Sequence, residues 1–320
     1  MSSVSGFANC GSTGIANCIL PSAKLQIADL GLELLTGDNL DGVEIYSTHV
    51  PFLVENGPSD SLLRTHLLPL PEVELGEQLF LSGGLWSLYR NNDEFTLLFT
   101  SPRTGPRPYR VAIFNEDFTM GDLYVPPTDV GVKYGVPELG SGAVVVDPLL
   151  PPIDELILIN LLSRGRGLYL HGCGISDGER SVAFCGVSGA GKSTLARLWQ
   201  QHPVTILSDD RIVVRPMGSS FWAWGTPWHG DALVAAPSGA PLQKLFIIEH
   251  SPENYIRPLS HSEAALKLLV RCFPTFYDAA GMEFTLGLIY QLCKTVPCAE
   301  LGFAPDERVV DLVLRDALGH

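Results

Sequence analysis

Residues 181–201, SVAFCGVSGAGKSTLARLWQQ, decide the reading of this chain. Ser181 to Gly186 is a run of small and apolar residues that reads as a buried strand. Gly186-Val187-Ser188-Gly189-Ala190-Gly191-Lys192-Ser193 then fits the pattern G-x-x-x-x-G-K-[ST], and Thr194 to Gln201 has the composition of a helix. The order strand, glycine-rich turn, helix is what a phosphate-cradling loop requires. Gly186, Gly189 and Gly191 let the backbone take positive φ and come close to a ligand. Successive N–H groups, with Ala190 among them, can then point inward at an anion, helped by the helix N-terminus on which Thr194 stands. Lys192 supplies a point charge for β and γ phosphates, and the Ser193 hydroxyl can hold Mg²⁺.

The flanking sequence extends this constellation. After the strand-like VTILS (204–208) come Asp209 and Asp210. Two adjacent carboxylates at a strand end suit a Mg²⁺–nucleotide site, one on the metal and the other taking a proton from an attacking hydroxyl. In extended backbone their side chains point to opposite faces, so they are expected to play different roles. The competing reading is a helix cap or turn, since Asp favours both. His171 lies on the strand before the loop strand (GLYLHGCGI, 167–175). A hairpin around SDGER would carry it to the phosphate end, although a lone strand histidine is usually a hydrogen-bonded core residue. Arg211 and Arg215 follow the acidic pair, as neutralisers of phosphate or as solvated strand ends. Trp222, Trp224, Trp228 and His229 sit together, and packing is their favoured reading over a ligand pocket.

The whole chain sets bounds on function. It has 320 residues, enough for two domains. With 46% hydrophobic residues it can build real cores. Its net charge is −14, from 35 acids against 21 bases of which six are Lys, which argues against nucleic acid or anionic membrane as a general partner. No apolar run reaches the ~18 residues of a membrane span, and no Lys or Arg precedes Lys24 as a secretory start would require. Seven scattered cysteines read as mostly reduced thiols, so a cytoplasmic location is expected. Cys10 and Cys18, in the echo FANC and IANC, lack the second pair that a metal site needs.

Residues 1–135 read as a β-rich accessory unit, with LWSLY (85–89), FTLLFT (95–100), YRVAIF (109–114) and DLYV (122–125) as an antiparallel meander. His49 and His66 there read as packed or surface side chains rather than ligands. The Pro- and Gly-rich stretch 136–152 reads as a linker. Residues 153–320 form the expected mixed α/β unit, opening with a helix over IDELILINLL (153–162) and ending with one over 307–318.

HG (171–172), GVSGAGKST (186–194) and LSDDR (207–211) occur in an order and spacing that resembles HPr kinase/phosphorylase. More closely, the chain resembles the HPr-kinase-related proteins that keep only the kinase domain, a group in which GTPWHGD (225–231) looks like a motif. The likeness covers about residues 153–320. It implies an α/β P-loop kinase domain of the HPr kinase/phosphoenolpyruvate carboxykinase type, preceded here by a smaller β-rich domain. It implies ATP and Mg²⁺ as cofactors and transfer of the γ-phosphate to a serine hydroxyl of a protein or peptide, including peptides of natural-product pathways. By position, it gives Asp209 the part of general base, Asp210 that of a metal-linked carboxylate with the reverse left open, His171 that of the active-site histidine, and Asp231 a second acidic metal position. It also hints at a homo-oligomer. GTPWHGD stands where HPr kinases carry a glycine-rich second signature, and the N-terminal half does not look like their regulatory domain, so neither HPr as substrate nor a reverse phosphorylase activity is carried over. Two other readings stay open: an ATP-binding regulatory protein without transfer, and a kinase for a small-molecule alcohol. A carboxykinase-like decarboxylase lacks the spare basic residues, and a nucleic-acid-dependent ATPase lacks the charge.

Overall fold

A computed structural model describes residues 18–102, 104–127, 144–146, 148–149 and 151–318. Two large sheets and few helices make this a mixed α/β protein. The chain divides into two compact units. One runs to Ile157 apart from Ile27–Asp29, and the other comprises Ile27–Asp29 and Leu158–His320. The expected linker 136–152 lies largely outside the described residues.

In the first unit, strands β1 (Cys18–Leu20), β4 (Gly42–Ile45) and β11 (Val144–Val146) form a small sheet. The large sheet has eight strands in the order β2 (Ser22–Ile27), β3 (Leu30–Thr36), β5 (Ser61–Leu67), β10 (Met120–Val125), β9 (Gly105–Asn115), β8 (Glu94–Ser101), β7 (Trp86–Asn91) and β6 (Glu77–Ser82). The meander expected from the aromatic runs is present: β7 to β10 pair antiparallel, with Leu97 facing both Leu88 and Ala112. Beyond it the sheet turns parallel, β10 pairing with β5 and β5 with β3. Phe95, Leu97, Phe99 and Phe114 pack the core with Phe118 at the β9–β10 turn. His49 and His66 are both buried: His49 Nε2 lies 3.1 Å from Asp154, and His66 lies between Asp38 and Asp122.

The boundary falls within α1 (Ile153–Ser163), whose second half opens the second unit and which ends before Gly165 at φ 87°. The sheet of this unit contains β12 (Leu168–Ser176), β13 (Ser181–Cys185), β14 (Thr205–Ser208), β15 (Arg211–Met217), β16 (Ser220–Gly225), β17 (Gly239–His250), β18 (Tyr255–Pro258) and β19 (Cys298–Phe303). β13, β17 and β19 run parallel, and the others pair antiparallel. All five residues of β13 are buried because the strand lies between two cores. Ala183 and Cys185 join the cluster beneath α3 (His261–Leu269) and α4 (Ala279–Thr295), whereas Val182 and Phe184 join the one beneath α2 (Lys192–Trp199) and α5 (Arg308–Val313). β17 divides in the same way, Leu245 and Ile247 to one side and Phe246 and Ile248 to the other. Such doubly buried strands read as continuous apolar runs. Ser260 caps α3 by accepting from Glu263 N, and Asp278 caps α4 by accepting from Ala280 N.

Trp199 is fully buried at the end of α2 and packs near Phe184 at 6.4 Å. Truncation there removes the anchor that holds α2 on the sheet. Trp199→Ala should destabilise this unit by about 3–5 kcal/mol, read as a lower urea midpoint for the transition that exposes its core.

Candidate functional site

The glycine-rich loop lies at the C-terminal end of β13, where a parallel sheet commonly holds ligands. β12 forms a hairpin with β13, pairing Gly172 with Cys185, and Gly186 N donates to His171 O at 3.2 Å. On its other side β12 pairs with β14 and then β15, so that Gly172 N donates to Asp210 O at 3.0 Å and His171 lies opposite Arg211. Three segments far apart in the chain are thereby fastened around the start of α2 by backbone bonds.

They enclose a cleft of about 330 Å³, lined by His171, the loop and helix residues Ser188, Gly189, Gly191, Lys192, Ser193 and Thr194, and by Arg197, Asp210, Gly230 and Asp231. Gly189 and Gly191 have φ of 79° and 96°. A side chain on Gly191 would also meet the Phe303 ring at 2.7 Å, which makes glycine obligatory there. Gly186 and Ala190 are buried beneath the loop rather than lining the cleft. Lys192 Nζ donates to the carbonyls of Gly186 (3.1 Å) and Val187 (3.2 Å) and lies 3.9 Å from Asp210 Oδ1. Burial lowers its ammonium below the ordinary value, opposed by the Asp210 charge.

Asp209 and Asp210 stand in the bend between β14 and β15, where Ser208 Oγ accepts from Asp210 N and Arg211 N, and not in extended backbone; their carboxylates point apart. Asp210 faces the cleft. It accepts from His171 Nε2 at 2.9 Å and from Arg211 Nη1, whose guanidinium lies over the Phe273 ring at 4.5 Å. Burial alone would raise the Asp210 carboxyl. The His171 hydrogen bond and the nearby Arg211, His171 and Lys192 charges outweigh it and hold the group below the usual carboxylate range. Asp209 is fully buried and does not line the cleft. Its Oδ1 accepts from Gly230 N at 2.7 Å and its Oδ2 from Ala232 N at 2.9 Å. Ser208 Oγ donates to Trp228 O at 2.7 Å, and Thr226 Oγ1 to Arg211 O at 2.7 Å. The segment 226–232 is thus pinned to the acidic strand end and forms one wall of the cleft.

Asp231 is exposed at the rim, and its carbonyl accepts from Arg197 Nη2 at 2.6 Å. Arg215 bonds to Arg166 O and is not among the cleft residues. Trp222 and Trp224 stack on each other at 5.7 Å, and Trp228 meets Tyr169 edge-on, so none of the three lines the cleft. His229 does not line it either; its Nδ1 lies 3.2 Å from Gly230 O. Cys173 and Cys185 on the adjacent strands are fully buried, and burial pushes both thiols up, which leaves them unreactive.

Sequence reasoning passed over Arg197, Gly230 and His250. Arg197 stands four residues after Ser193, one turn along the same helix face, and that spacing was legible. His250, at the end of β17, lies 2.8 Å from Gly189 O, a contact that no local pattern announces. Gly230 is constrained by two neighbours at once: a Cβ would stand 2.8 Å from both Asp209 Oδ2 and Ser193 Oγ. Only glycine therefore lets this wall approach the start of α2 so closely. Among the described residues no three His, Cys, Asp or Glu side chains converge as a metal centre. A Mg²⁺ that takes most of its ligands from phosphate and water needs no such cage.

No helix among the described residues is long and apolar enough to cross a membrane. The chain matches no known protein-family profile and no curated protein sequence.

The two carboxylates should differ in what their loss does. Asp209→Asn leaves one of two buried N–H groups facing an amide NH₂, and should cost about 1–3 kcal/mol. Asp210→Asn, at the cleft surface, should cost less. Urea midpoints of the two variants compare them directly, and equal losses would contradict the assignment of Asp209 as the loop anchor.

Proposed function

We propose that the chain is an ATP-dependent kinase with a P-loop domain of the HPr kinase/phosphoenolpyruvate carboxykinase type, which transfers the γ-phosphate to the serine hydroxyl of a protein or peptide. The observation that carries this reading is the convergence of His171, Lys192, Ser193 and Asp210 on one cleft at the start of a helix. A loop of N–H groups and a lysine alone would make a phosphate-binding site. A carboxylate held as an anion beside a histidine adds a group able to receive a hydroxyl proton.

In this reading the loop backbone and Lys192 hold the β and γ phosphates. Ser193 Oγ would hold Mg²⁺, which supplies charge neutralisation at the phosphates, and Asp231 stands at the rim of the same cleft. Asp210, rather than the buried Asp209, is the carboxylate placed to accept the proton of the attacking hydroxyl. Its depressed pKa makes it a weak base, yet that is compatible with phosphoryl transfer, where positioning and electrostatics outweigh base strength. His171 orients Asp210, and Arg211, braced on Phe273, fixes its other oxygen. Arg197 holds the Asp231 segment against the helix.

The test is label transfer from γ-labelled ATP with Mg²⁺ to serine-bearing proteins and peptides. Lys192→Ala should lose ATP binding and transfer together. Asp210→Asn should keep ATP affinity and lower transfer roughly 10²–10⁴-fold. Normal transfer in Asp210→Asn removes it as the base, and ATP binding with no transfer to any acceptor favours a nucleotide-binding regulator.

The pH profile carries a second expectation. A carboxylate whose pKa is depressed in the folded protein stays ionised until the pH falls below the usual carboxylate range. His171→Ala removes one cause of that depression, so the acid limb of kcat should move to higher pH. An unmoved limb would separate His171 from Asp210 in function.

A further inference from the structure

The eight-stranded sheet of the first unit has two ends, and they are finished differently. At the β2 end, Val54 N donates to Lys24 O at 2.9 Å and Leu25 bridges to Leu53, so the segment after β4 covers the edge. At the other end, β6 pairs with β7 alone among the described residues. Its register is interrupted between Gln78 and Phe80 and then runs regularly through Phe80–Ser82 opposite Leu88–Trp86. The sequence EQLFLS has no Pro or Lys to blunt this edge. Leu81 and Leu85 are 62% and 56% exposed at its far end, where Phe80 and Trp86 pack together at 4.7 Å.

The near end of the same hairpin is acidic. Glu72, Glu74, Glu77, Asp93 and Glu94 are all exposed, against one exposed base, Arg90, which pairs with Glu77 at 3.4 Å. Asn91 Nδ2 donates to Glu74 O at 3.0 Å and holds these acids at the strand start. A second copy pairing edge to edge in parallel would set these acids against its own, and in antiparallel it would set them against its Leu81 and Leu85; neither arrangement gives the carboxylates a cationic partner. The edge therefore favours a basic occupant over a second copy.

We propose that the open edge of β6 binds an extended polypeptide segment by strand addition, with Lys or Arg residues of that segment beside Glu74 and Glu77 and apolar residues beside Leu81 and Leu85. Backbone ladder bonds supply affinity in such docking, and side chains set direction and register. The proposal does not depend on the kinase reading, because binding is measured without nucleotide.

The probe is a fluorescein-labelled eight-residue peptide of alternating β-branched and polar residues, with two arginines at one end and two leucines at the other. Fluorescence anisotropy with the full chain should show saturable binding. Replacing the arginines by glutamates, or methylating alternate backbone nitrogens of the peptide, should each weaken it roughly tenfold or more. Leu81→Lys and the double variant Glu74→Lys/Glu77→Lys change only exposed side chains and should weaken it similarly. Equal binding of the N-methylated peptide, unchanged binding by Leu81→Lys, or no binding up to millimolar peptide would each overturn the proposal.

Discussion

The carboxylate of Asp209, buried and accepting the N–H groups of Gly230 and Ala232, is the contact on which the candidate site depends. A buried carboxylate is tolerable only when its lone pairs are engaged, and charge-assisted bonds to backbone N–H groups are among the stronger ones available. In return they fix a loop that has little secondary structure of its own. With Ser208 and Thr226 adding bonds to the same segment, the wall containing Gly230 and Asp231 stands at a set distance from the start of α2. Gly230 is the residue that lets this wall approach closely, since a methyl group there would collide with the Ser193 hydroxyl and the Asp209 carboxylate.

The net charge of the chain has to be squared with the proposed kinase reading. A chain of net charge −14 has little cationic surface with which to attract a polyanion. In the cleft Lys192 and Arg197 stand beside Asp210 and Asp231, and the N-terminus of α2 opens into it. Lys192 is itself held by the Gly186 and Val187 carbonyls, so its charge is fixed in the loop rather than carried on a free stem. Preorganised donors of this kind act more strongly than the same groups in water, because little reorganisation remains to be done. In the proposed kinase, Asp210 then supplies the local negative group, and His171 and Arg211 limit its freedom.

Much of the second unit was legible because its elements are written in local code. The strand over 181–186 is a short apolar run ending in glycine, and a strand stands at Ser181–Cys185. The helix expected over 194–201 appears at Lys192–Trp199, shifted because the turn of glycines hands directly into it. Different roles for Asp209 and Asp210 were expected from alternation in extended backbone, but the pair stands in the bend between β14 and β15, the turn that was the competing reading, and the bend sends the two side chains apart. Their division of labour was not legible. Which carboxylate is buried and which faces the cleft depends on where Gly230 and Ala232 fall, more than twenty residues away. The first unit followed the same pattern: the meander was readable strand by strand, while the parallel partners β5 and β3 were not, because long-range pairing leaves no mark in a single segment.

What the sequence by itself determined was the set of groups available: a glycine-rich turn between strand and helix, a lysine and a hydroxyl at the helix start, paired acids at a strand end, and a histidine on the preceding strand. Local propensity, steric freedom at glycine and side-chain alternation are enough for that. Only the tertiary structure decided that His171 meets Asp210, that Asp209 is an anchor, and that Arg197, His250 and Gly230 belong to the same locality. Those relations come from backbone ladders between β12, β13, β14 and β15 and from the shared burial of their side chains, and such contacts exist only once distant segments have been brought together.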